Sequence, residues 1–107
     1  MIVAVAVFEI HIPHSRSLKE KRAVVRSLRD RLRSRWEVSA AEVGLQELHQ
    51  RARLAVAMVA SDGANVEPLF EEMAAIVEQQ GDASLVGWNL DLQSFEEDLP
   101  LDASKYE

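Results

Sequence analysis

Cysteine is absent from this chain of 107 residues. That absence excludes a disulfide framework, a thiolate zinc ribbon and thiol chemistry, and it fits a cytoplasmic protein. Aromatic side chains are scarce, limited to Phe8, Trp36, Phe70, Trp88, Phe95 and Tyr106. The glycines, Gly44, Gly63, Gly81 and Gly87, are scattered, so no glycine-rich loop exists to cradle a phosphate. No apolar run is long enough to cross a membrane. The apolar start, Ile2 to Phe8, imitates a signal peptide but lacks a positive leader segment and is interrupted by Glu9 and His11. Carboxylates are plentiful, yet none pairs with a recognisable base or nucleophile, so a non-catalytic protein is expected. Metal ligation is equally thin. His11 and His14 stand three residues apart with only Glu9 nearby, whereas a metal site needs three or four ligands. No metal and no cofactor are expected, and His49 is an isolated polar residue in a turn.

Basic residues are rare everywhere except in one segment. Nine of the twelve lie between Arg16 and Arg35, where Glu20 and Asp30 are the only acids, giving about +7. The other 87 residues carry three basic residues and sixteen acids, about −13, and the net charge of −6 conceals this separation. Arginine outnumbers lysine nine to three, which points to a GC-rich or thermophilic bacterial source. The length suits one domain, residues 1–107, with a single core.

The apolar pattern gives the order of elements. Ile2 to Ile12 reads as a strand apolar on both faces, hence central in its sheet. After a loop from Pro13 to Arg16, Ser17 caps a helix and Glu20 completes a capping box. Leu18, Val24, Val25, Leu28 and Leu32 form the helix's apolar stripe, which runs out near Trp36. Glu37 to Val43 is a shorter, more polar strand, and Gly44 to Gln50 a turn. Arg51 to Ser61 is a third strand, again apolar on both faces. A second helix runs to about Gln80, with Leu69, Phe70, Met73, Ile76 and Val77 inward. Pro68 belongs in its first turn, behind Asn65 as cap, because an interior proline costs about 3 kcal/mol. Ser84 to Phe95 is a strand burying one face through Val86, Trp88, Leu90 and Leu92. The acidic segment from Glu96 onward, with Pro100, is expected to fray. The order βαββαβ predicts an α+β, ferredoxin-like sandwich. Its four-stranded antiparallel sheet has strand order 4-1-3-2, with two helices on one face.

Several stretches carry a resemblance. Arg16-Ser17-Leu18-Lys19-Glu20-Lys21-Arg22 resembles the signature of the small bacterial DUF503, or YlxP-like, family of unknown function. Val38 to Val43, Gln50-Arg51-Ala52 and Ser61-Asp62 extend the likeness over most of the chain. The resemblance implies a ferredoxin-like fold without an established activity, and it points, as a weak signal, to a ribosome or RNA role. The chain departs from the family pattern after Val43, at Gly44, Leu45 and His49.

The first helix holds the main functional candidate. On a helical wheel, Lys19, Arg22, Arg26, Arg29 and Arg33 share one flank, and Arg22 to Arg33 spans about 16 Å at 1.5 Å per residue. Guanidinium groups in such a row suit phosphate, each donating two parallel hydrogen bonds. The stripe fits three roles: a solvated face, a surface for structured RNA or the ribosome, or a seat for an acidic protein. The acids Glu67, Glu71 and Glu78 of the second helix lie on that helix's outer flank. Antiparallel helices then carry the two charged flanks in opposite directions. Lys21, Arg31 and Arg35 face inward, toward Glu72. The alternative to RNA binding is self-association. Ala55, Ala57 and Val59 of the third strand lie on the sheet's helix-free face and, with one set from the first strand, form an apolar patch. That patch fits a homodimer, and it lacks the strand aromatics on which RNA-recognition domains stack bases. No membrane partner is expected.

Overall fold

A computed structural model describes residues 1–96. The expectation of a frayed acidic tail falls on 97–107, outside the described residues. The elements are β1 (Ile2–His11), α1 (Leu18–Arg35), β2 (Ser39–Glu42), β3 (Arg51–Ala60), α2 (Val66–Glu78) and β4 (Ser84–Ser94). One four-stranded sheet runs β4-β1-β3-β2, with every neighbouring pair antiparallel. The α+β, ferredoxin-like arrangement and its strand order are those expected from the sequence.

The alternation of β1 explains why it is central. Ala4, Ala6, Phe8 and Ile10 are buried under the helices. Leu54 and Val56 of β3 share that layer, paired with Phe8 and Ala6. α1 covers β2 and β3 with Val25, Leu28 and Leu32, while α2 covers β4 and β1 with Phe70, Met73, Ile76 and Val77. Phe8 stacks on Trp88 with ring centroids 5.6 Å apart. Residues at odd positions, Val3, Val5 and Val7 with Ala55, Ala57 and Val59, fill the helix-free face.

Three local expectations change. In β4, Val86 is exposed and Leu85 takes the covered side. The register shifts between Glu9 and Ile10, which pair with Gly87 and Leu85, so Val86 is the extra residue of a bulge. Leu92 does lie on the covered side as expected, opposite the buried Ala4, but is 41% exposed toward the end of that edge strand. β2 is shorter than the span 37–43, and only Ser39–Glu42 pair with β3 as a strand. Asn65 does occupy the cap position of α2, with Pro68 in the first turn, but its side chain makes no capping hydrogen bond. The turn before α2 is instead shaped by Asp62, whose Oδ1 accepts from Ala64 N–H at 2.9 Å.

Candidate functional site

α1 begins where the capping box was expected. Ser17 Oγ accepts the Glu20 N–H at 3.1 Å, and Glu20 Oε2 accepts the Arg16 N–H at 2.7 Å, one residue before the cap. This fixes the first turn, and with it the rotation of the whole helix. Lys19, Arg22, Arg26 and Arg33 are exposed and have no ion-pair or hydrogen-bond partner for their side chains among the described residues. Arg29 is half-buried and holds Asp30, with Nη2 and Nε each 3.1 Å from Oδ1. Arg22, Arg26 and Arg29 line a groove of about 150 Å³ with Val25 and Glu42 of β2. The stripe therefore hangs over the β2 edge of the sheet. α2 packs toward the other edge, and its Glu78 accepts the Leu85 N–H of β4 at 3.1 Å. The basic and acidic flanks thus face opposite edges, and no ion pair joins α1 to α2 among the described residues.

The inward basic residues do not meet Glu72. Lys21 is fully buried, and its Nζ lies 3.0 Å from Glu42 Oε2. The same ammonium donates to the carbonyls of Leu45 at 2.9 Å, Gln46 at 3.3 Å and Arg51 at 3.3 Å. An ammonium has three N–H groups, and here they are directed at the three carbonyls. The buried Glu42 Oε2 makes no directed hydrogen bond and is held by charge. Arg31 Nη1 instead donates to Gln80 Oε1 at 2.9 Å, and Arg35 lies over the Trp36 ring at 4.9 Å. Glu72 is out of range of Lys21 because β2, not α2, runs beside the first turn of α1.

Lys21 thereby organises the end of the molecule that holds the 44–50 turn. Gly44 and Leu45 both have positive φ, +60° and 51°. A left-handed Leu is unfavourable by itself, and the bond from Lys21 to its carbonyl helps to hold it. Gln50 closes the other side, donating to the carbonyls of Pro13 at 3.2 Å and Ser15 at 3.3 Å. Lys21, Glu42 and Gln50 belong to three separate stretches that carry the family resemblance, and the fold brings them to this one turn.

Across the sheet, Glu9 bridges two arginines. Its Oε2 is 3.1 Å from Arg51 Nη2, and its Oε1 is 2.9 Å from Arg53 Nε. Both carboxylate oxygens are therefore engaged, so Glu9 does not join His11 and His14 in a ligand set. No group of three or more metal-ligating side chains occurs among the described residues. Sequence reading passed over this trio. Its signal was the Arg51-x-Arg53 alternation, which places both side chains on the face of Glu9 once β1 and β3 pair in antiparallel register. Among the described residues no helix is long and apolar enough to cross a membrane.

Comparison with known proteins agrees with this picture of fold. Uncharacterized protein YlxP of Bacillus subtilis strain 168 is 34% identical over 62 residues, which is 58% of this chain and 67% of that protein. Among solved structures, the de novo designed protein Foldit4 aligns with a TM-score of 0.53 at 8% identity, over 90% of this chain and 100% of that one, a likeness of fold alone. Residues 3–90 match the family described as "Protein of unknown function (DUF503)". With most of its length matched, the chain belongs to the DUF503 family.

Proposed function

We propose that the protein is a non-catalytic, RNA- or ribosome-associated factor of the cytoplasm that grips the phosphate backbone of structured RNA through α1. Arg22, Arg26, Arg29 and Arg33 contact phosphates, with Lys19 supporting them. The observation that carries the reading is the α1 flank. Four of its five cations are exposed and unpaired among the described residues, over the sheet edge farthest from the acids of α2. Contacts of this kind hold a duplex in place without reading its sequence. The test is titration of a labelled RNA hairpin with wild type and with the double variant Arg26→Glu, Arg33→Glu. Both positions are exposed, so the thermal midpoint stays nearly unchanged while binding is lost. Equal affinity of the two proteins for the hairpin at low salt rejects the reading.

A second reading, a homo-oligomeric interaction module, rests on the helix-free face of the sheet. Val59 is 65% exposed and Val5 42%, beside Val3, Val7, Ala55 and Ala57. A contiguous apolar surface of this kind favours cover by a second copy. Sedimentation of wild type and of Val59→Lys separates the two readings. The module predicts a dimer that the substitution dissociates, and a monomer at high micromolar concentration rejects it.

A further inference from the structure

A concavity that RNA binding by the helix does not use lies on the opposite side of the sheet from α1. It is a cleft of about 690 Å³, within the range of small-molecule sites. Val7, Val43 and Val86 give it apolar walls, and Glu9 and Arg53 supply its charge. Two backbone irregularities frame it. On one side is the bulge that puts Val86 out of the β4 register, and on the other the left-handed pair Gly44-Leu45. Bulges of this kind re-aim side chains and recur beside functional sites. The second wall is fixed from within by Lys21, through the Leu45, Gln46 and Arg51 carbonyls. A buried charge thus holds in place the backbone on which both Gly44 and Arg51 sit.

The geometry points to this cleft as a binding site for a small organic monoanion, a carboxylate on a short branched apolar body. The charge count selects one negative charge. Glu9 engages two guanidinium groups, that of Arg53 in the cleft wall and that of Arg51 just outside it, so the trio carries +1 in a chain of net −6. Glu9 takes Nε of Arg53 and one terminal nitrogen of Arg51, so the remaining N–H groups have no partner among the described residues. Arg53, the arginine that lines the cleft, has a side chain 46% exposed and open to an incoming carboxylate. A phosphate dianion would meet Glu9 with only one excess positive charge to offset it. The valine walls favour an aliphatic body. Trp88 also lines the cleft, with one ring face stacked on Phe8.

The test is an NMR titration of the full chain with sodium isovalerate, with neutral isovaleramide and inorganic phosphate in parallel. The probes are the amides of Gly44, Gly87 and Asn89 and the Arg53 Nε–H. Isovalerate shifts all four along one saturating curve, with a dissociation constant on the order of millimolar, and neither control reproduces the curve. Arg53→Gln weakens binding about tenfold or more, whereas Glu9→Gln tightens it by releasing both guanidinium groups. Arg26→Gln, on the far surface of α1, leaves it unchanged, so the result is independent of RNA binding. Linear, non-saturating shifts overturn the proposal, as does equal response to the amide. Tighter binding of phosphate than of isovalerate overturns the assignment to a carboxylate. Weakening by Glu9→Gln shows that the trio only supports the sheet, and rejects the site.

Discussion

At position 21 a full positive charge occupies a place on the α1 stripe where an apolar residue would ordinarily sit. Desolvating an ammonium costs several kcal/mol, which one carboxylate and three carbonyls must offset together. Removing the lysine therefore leaves Glu42 unneutralised and three turn carbonyls short of a donor. Lys21→Met is expected to lower stability by about 3–5 kcal/mol, read from urea denaturation. Adding Glu42→Gln should recover part of the loss, because the orphaned charge is gone. An exposed control, Lys19→Ala, should stay within about 0.5 kcal/mol of wild type. The helical wheel set Lys21 apart from the outer stripe, on the side expected to face Glu72, whereas it turns to β2. It did not show the partner. That choice between Glu42 and Glu72 depends on which strand runs beside the first turn of α1, and on the path of the 44–50 turn.

Among the elements, α1 was the most legible, because its start is written in local chemistry. Ser17 and Glu20 are three residues apart, and both side chains do bond backbone N–H groups there. Ser17→Ala should cost about 1 kcal/mol, measured by the shift in the thermal or urea midpoint. The same substitution at the exposed Ser27, in the helix interior, should be neutral or slightly stabilising, because alanine is the better helix former. β4 was less legible. Its apolar residues alternate cleanly from Val86 to Leu92, and a simple period of two puts Val86 inside. The bulge opposite Glu9 and Ile10 breaks that period, and its register shows only once β4 is paired with β1, although Gly87 beside the extra residue is a local mark of a bulge. The Glu9–Arg51–Arg53 trio was hidden for the same reason, since its members meet only across two strands.

At the scale of the whole molecule, the two strands apolar on both faces take the two central positions of the sheet, with one face under the helices and the other open. The charge separation was equally visible, and the fold turns it into direction. Net charge −6 opposes approach to RNA, so attraction must come from the α1 edge alone. If about four phosphates are neutralised there, log K against log salt should fall with a slope of roughly −3 to −4, measured from low to physiological salt. A slope near zero would mean that the arginine flank does not carry the binding. The closing pair of the sheet has a mechanical consequence. Ile2 pairs with Ser94, and Met1 and Phe95 exchange backbone hydrogen bonds through Met1 N–H to Phe95 O at 3.2 Å and Phe95 N–H to Met1 O at 2.9 Å. Tension applied at residues 1 and 96 acts across β1 and β4 at this end. It opens their rungs one after another, like a zipper, and does not load them in parallel as shear would. The protein should therefore yield at low force when drawn from these two points, whatever its resistance to heat. The turn anchored by Lys21, at the opposite end of β1, would feel the pull only after the β1–β4 ladder had parted.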